Sequence, residues 1–239
     1  MTETTPSPLV PQVRNVTKVF RQATPGQLAA GIEWYARARR LAEELAAMDL
    51  SDPDGILPPN PWQGDVERAA AVIAVLSPQE TWTRNVELAR EVYRRAAGAY
   101  MMSQVWVKLG TLSASAKKAA RLILTDEPTD VIVSGPKVTA FWRTIAEPLD
   151  PFAVVVDRHA FDVAVGRVTD DATRNRGLSG KRYEQACDVY RRAAVILSRE
   201  YGSTSPATVQ AVTWTVWRET KIRTKYAATA ERNVGTLSA

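Results

Sequence analysis

Ala70-Ala71-Val72-Ile73-Ala74-Val75-Leu76-Ser77-Pro78-Gln79-Glu80-Thr81-Trp82 is the stretch on which the fold turns. Its first seven residues are apolar on every side and contain no turn former. That pattern predicts a buried helix first and a buried strand only second. Ser77-Pro78 ends it, because proline disfavours helical backbone in the residue before it. A new helix opening at Thr83 then leaves the amide of Gln79 at the mouth between two helices.

Outward from this stretch nearly every periodic segment has the helical period. Gln27 to Met48 sets Leu28, Ile32, Tyr35, Ala38, Ala42 and Leu45 on one stripe, with Arg37, Arg39, Arg40 and Glu44 mostly elsewhere. The Pro- and Asp-rich stretch Ser51 to Trp62 reads as a loop, and Asp65 as the N-cap of the helix that follows. Further helices are expected at Thr83–Ala97, Ser115–Leu124, Lys137–Ala146, Arg158–Val165, Lys181–Tyr201 and Pro206–Thr220, the last capped by Ser205. Val154–Val156 is the one β-like triplet, too short to establish a sheet. The expectation is an all-α protein of some eight helices without internal repeats. Residues 26–225 read as one helical domain, with residues 1–25 and a tail over 226–239 loosely held.

Composition narrows the chemistry. The 239 residues suit one domain or two closely packed lobes. A single cysteine, Cys187, excludes an internal disulfide, a cysteine-built zinc site and an iron–sulfur cluster on four thiolates, and it reads as a packing residue beside Ala186 and Tyr190. No cofactor and no metal are implied. Met1 to Pro11 lacks the apolar core of a signal peptide, and no apolar run approaches membrane-spanning length. A cytoplasmic protein without a membrane partner is therefore expected. The net charge of +5 and pI near 9.4 suit an anionic partner such as DNA or a nucleotide.

Two short motifs carry the polar chemistry. Ser134-Gly135-Pro136-Lys137-Val138-Thr139-Ala140 offers an amine on a small-residue turn, and Val154-Val155-Val156-Asp157-Arg158-His159 delivers a carboxylate at the end of an apolar run, with the only histidine. Amine and acid together suit covalent or electrostatic work on an electron-poor carbon. The plain alternative is that Asp157 caps the helix from Arg158 to Val165 while Lys137 sits on a solvated turn.

Taken in order, these segments resemble motifs of the helix-hairpin-helix DNA glycosylases, the endonuclease III-like superfamily. Leu76-Ser77-Pro78-Gln79 resembles the family's LSxQ helix–turn, and Ser115-Ala116-Lys117-Lys118-Ala119-Ala120 its SKA helix. Lys137 and Asp157 fall where the hairpin lysine and the VDxH aspartate would lie, so the resemblance spans roughly residues 70 to 220. It implies a two-lobed helix-hairpin-helix glycosylase-like fold, with Asp157 at the floor of the cleft between the lobes. It also implies cleavage of the N-glycosidic bond of a modified or damaged base after the nucleotide is flipped out. Asp157 would stabilise the cation at the sugar C1′, and Lys137 would be the amine that forms a Schiff base in bifunctional members. Gln79 would enter the space left by the flipped nucleotide, and His159 would organise the turn after the aspartate. Trp82, Asn85, Gly135 and Arg158 would join them in contacting DNA, in a bacterial or phage-infected cell.

The sequence departs from the family in definite ways. The family hairpin reads as an apolar residue and then Gly-x-Gly, whose N–H groups hold a phosphate; here Gly135 stands alone before Pro136, which has no N–H. The family's four C-terminal cysteines are absent, and Trp214-Thr215-Val216-Trp217-Arg218 lies in their place, its tryptophans reading as core or as a base-stacking platform. Arg167, Arg174, Arg176, Lys181 and Arg182 crowd what reads as an exposed loop. It would contact phosphates or be a solvated loop balanced by Asp170 and Asp171. Diverged members are suggested in phage pathways that hypermodify thymine, and a DNA-binding protein without catalysis is a further alternative.

Overall fold

The computed structural model describes residues 9–51, 60, 62–97, 99 and 102–235, with side chains described as far as residue 220 apart from that of Met102. Segments 1–8 and 236–239 of the expected loose ends, and positions 52–59 and 61 of the expected loop, lie outside the described residues. Within them the protein is all-helical and contains no strand. Twelve helices run in order: α1 (Val13–Arg21), α2 (Pro25–Ala46), α3 (Val66–Leu76), α4 (Trp82–Ala96), α5 (Met102–Trp106), α6 (Ser113–Leu124), α7 (Thr129–Ile132), α8 (Pro136–Ala146), α9 (Arg158–Val165), α10 (Asp171–Gly177), α11 (Gly180–Tyr201) and α12 (Pro206–Gly235). None of them is long and apolar enough to cross a membrane.

The chain divides into two compact units, a central one formed by residues 35–155 and a terminal one formed by residues 1–34 with 156–239, the boundary falling within α2. The central unit is built around α3. Every residue from Arg68 to Leu76 is buried, and α4, α6 and α8 pack around the helix. An all-round apolar surface requires such enclosure, since any solvent-facing side would forfeit burial. Asp65 caps α3, its carboxylate accepting from the N–H of Arg68 at 2.8 Å.

Arg68 is the exception inside this core. Its Nη2 donates to the carbonyl of Thr125 at 2.6 Å, its Nε donates to the carbonyl of Leu122, and its guanidinium lies 3.6 Å from the centre of the Trp62 ring. These carbonyls end α6, where the last turn has no intrahelical donors. Asn60 and Trp62 complete the arrangement by donating to the carbonyls of Ile123 and Thr125. A buried cation is thus held at the negative end of a helix.

In the terminal unit α1, α9, α11 and α12 pack on one another. Residues 13–21, expected to be loosely held, form α1 and bury Val16, Val19 and Phe20. The nine-residue helix is marginal by itself and is stabilised by that tertiary burial. At the other end α12 continues to Gly235, past the expected stop at Thr220. Its start is as expected, with the Ser205 hydroxyl accepting from the N–H of Thr208. Val154–Val156 is buried and extended but pairs with no strand; the N–H of Val156 is satisfied instead by the Tyr183 hydroxyl at 3.3 Å.

Helix α2 opens with a reciprocal cap between Thr24 and Gln27. Tyr35, Ala38, Ala42 and Leu45 are buried as their stripe requires, whereas Ile32 is 53 % exposed. The reason lies at Gly31, where a Cβ would come within 2.6 Å of the Val212 Cα on α12. The buried face there is centred on the glycine, and Ile32 points away from it. Gly31→Ala is therefore expected to destabilise the protein by about 1–3 kcal/mol, the usual cost of overpacking, read as a lower urea midpoint at unchanged m value.

Candidate functional site

The three motif segments of the central unit meet. Helix α3 stops at Ser77, whose N–H and hydroxyl both bond the carbonyl of Ala74. Gln79 then adopts a left-handed backbone with φ of 66°, a conformation that among the described non-glycine residues only Lys108 shares. Such backbone costs a side-chain-bearing residue about 1–2 kcal/mol. The result is an exposed amide held at a tight corner. The Thr111 hydroxyl donates to Glu80 at 2.9 Å, and Thr81 caps α4, which starts at the partly exposed Trp82.

Across from this corner lie the first turns of α6 and α8. A pocket of about 70 Å³ is lined by Val75, Pro78, Ala114, Ser115, Lys118 and Val138. It has room for a small ion or a few waters, and none for a nucleobase, whose clefts run to roughly 300–1,000 Å³. Gly135, at φ of 89°, turns the chain into α8, and Pro136 takes the first helical position, where a missing N–H is tolerated. Lys137 is exposed, and no described residue pairs with its ammonium. The cation lining the pocket is Lys118, whose Nζ donates to the Ser134 hydroxyl at 2.6 Å. In the sequence Lys118 reads only as part of a helix motif. A second cleft of about 400 Å³, with Trp142 and Arg143 among its lining, is flanked by Asp65, Glu67 and Asp130, a lining unsuited to a polyanion.

Asn85 does not belong to this surface. It is only 2 % exposed on the inner face of α4, with no described partner for its Oδ1. A contact between Asn85 and DNA is therefore corrected to a core position, because the helical register from Trp82 turns position 85 inward with Leu88, Ala89 and Val92.

Asp157 belongs to the terminal unit. The buried run before it brings it to the N-cap of α9, where Oδ1 accepts from the N–H groups of His159 at 2.9 Å and Ala160 at 2.8 Å. The helix-cap reading of this residue is correct. The cap uses one oxygen only. Oδ2 accepts from the indole Nε1–H of Trp214 at 3.1 Å. The Arg218 guanidinium lies 4.4 Å from the centre of that indole ring, and the half-buried His159 stands edge-on to it at 6.3 Å between centroids. Three donors thus fix the carboxylate, and of its roughly four acceptor directions one on Oδ2 is left. Neither Trp214 nor Arg218 was assigned to Asp157 from the sequence.

The basic loop proves to be largely ordered. Residues 171–177 form α10, capped by Asp170. Arg174 reaches back from it to Asp162, which is fully buried, at 3.2 Å, and also pairs with Asp171 at 2.8 Å. The Arg174 side chain is only 15 % exposed, so its assignment to DNA is corrected to a structural clasp between α9 and α10. Desolvating Asp162 requires such a partner. Arg158, Arg176 and Arg182 remain exposed, and no ion pair among the described residues engages them. Cys187 packs as expected, and burial pushes its thiol up to about 12, which removes it as a nucleophile.

No curated protein and no solved structure matches the chain. One family does, over residues 1–221, described as "Family of unknown function (DUF7178)". With the match covering nearly the whole chain, the protein belongs to the DUF7178 family.

Proposed function

We propose that this protein is an enzyme acting on a base in DNA, which breaks the N-glycosidic bond of a flipped-out nucleotide on a two-lobed helix-hairpin-helix fold of the glycosylase type. The observation that carries this reading is the Asp157 carboxylate, held by three donors with one acceptor direction left. A fixed anion stabilises positive charge developing beside it without reorganising. When the C1′–N bond breaks, its electron pair leaves with the base, and the sugar carries the positive charge across C1′ and the ring oxygen. Water then adds to C1′ and gives its proton to the remaining lone pair of Oδ2, from which it passes to the departed base and restores the carboxylate. The exposed Arg158, Arg176 and Arg182 support a polyanionic substrate.

The test is incubation with oligonucleotides carrying a panel of modified and damaged bases, with mass spectrometry for released base. Release of one base class by the wild type is expected. No release from any member of a broad panel would overturn the reading.

Lys137 decides whether the chemistry includes a covalent step. Its exposed amine would condense with C1′ once the base has left, the sugar ring opening to its aldehyde and water being lost, to give an imine that borohydride reduces to a stable protein–DNA adduct. Lys137→Ala is expected to abolish that adduct on denaturing gels. A substrate that loses its base without any adduct assigns Lys137 to a phosphate contact instead.

Modification of a DNA base on the same scaffold is a second reading, and Pro136 favours it. The residue occupies the first position of α8, where it offers a phosphate no N–H. In that case, with an amine or amino acid supplied as the group to be transferred, the panel shows a base of changed mass still attached to its sugar.

A further inference from the structure

We infer that Trp214 is the positioning residue of the Asp157 carboxylate, an assignment that rests on the glycosylase-like reading of the preceding subsection. The N-cap fixes only Oδ1, through the N–H groups of His159 and Ala160. A carboxylate held by one oxygen still pivots about its Cβ–Cγ bond, a torsion with broad preferences. The indole Nε1–H of Trp214, 3.1 Å from Oδ2, removes that freedom and decides where the remaining lone pair points.

The indole is itself held. Trp214 is half-buried on α12, which packs directly on α9, and the Arg218 guanidinium covers its face one helical turn further on at 4.4 Å. His159, the second residue of α9, meets the ring edge-on. Two residues 57 positions apart in sequence are thereby locked together at the carboxylate that does the chemistry. Trp214 does not act on the substrate. It acts through Asp157, and its contribution is expected in the rate of the chemical step and not in binding.

Trp214→Phe keeps the ring and deletes the donor, and Arg218→Met keeps the donor and deletes the cation over the ring. In steady-state base release, Trp214→Phe is expected to lower kcat about tenfold with KM within twofold, the pattern of a lost interaction that matters in the transition state. Arg218→Met is expected to lower kcat less. Independently of turnover, the Trp214 indole N–H cross-peak in a ¹⁵N–¹H spectrum, assigned by its loss in Trp214→Phe, is expected to move in Asp157→Asn. Asparagine has one acceptor oxygen where the cap and the indole need two.

An unchanged kcat in folded Trp214→Phe, with Asp157→Asn inactive, would overturn the positioning role while leaving the glycosylase-like reading intact. An indole cross-peak indifferent to Asp157→Asn would overturn it at the level of the hydrogen bond. A wild type that releases no base removes the kinetic role together with the reading beneath it, and the indole spectrum then shows separately whether the bond exists.

Discussion

On the proposed mechanism Asp157→Asn is expected to lower turnover by about 100-fold or more, because the substitution removes the charge that would stabilise the developing cation. It is also expected to lower stability by about 1–2 kcal/mol, since one amide oxygen serves either the cap or the Trp214 indole, and the other donor is left facing an NH₂. Asp157→Ser separates the two effects. A serine hydroxyl is a good N-cap but carries no charge, so most of the stability of α9 is expected to return while turnover stays lost. Turnover assays beside urea melts on both variants decide the matter. If Asp157→Ser turns over like the wild type, the residue is a cap and nothing more.

Arg68→Met is expected to give the largest loss of stability, about 3 kcal/mol or more. The Leu122 carbonyl at the C-terminus of α6 loses its Arg68 donor and that of Thr125 keeps only the Trp62 indole, the Trp62 ring loses its cation, and methionine returns only the packing of the stem. Burial already pulls the guanidinium pKa below its ordinary value, against the pull of Asp65, Asp126 and other acidic groups. The site keeps its cation because carbonyl dipoles surround it. Arg68→Lys keeps the charge but cannot reach both carbonyls with a rigid fork, so an intermediate loss is expected. Denaturant unfolding checks both variants. A loss under about 1 kcal/mol for Arg68→Met would show that water replaces the guanidinium at the end of α6.

What the sequence determined by itself is what neighbours within four residues encode. The all-round apolar run from Ala69 to Leu76 reads as a buried helix before a buried strand, Asp65 and Ser205 read as caps, and Gly135-Pro136 as a small-residue turn, and the structure has each so. Asp157 as the cap of α9 belongs with them, as does Cys187 on a buried face. Each is a local period or a bond to a backbone group two or three positions away. Helix α1 escaped this reading because its stability comes from docking Val16, Val19 and Phe20, and nine residues carry little propensity of their own. Partners distant in the chain were decided by tertiary packing alone. Trp214 donates to Asp157, Arg68 caps α6, and Arg174 clasps Asp162 across gaps that no sequence period spans. Arginine shows the reason most plainly: on the page Arg68, Arg174 and Arg182 are the same cation. One is buried against helix-end carbonyls, one is matched by a buried carboxylate, and one is left in solvent, because burial forces a charge to find a partner and exposure does not.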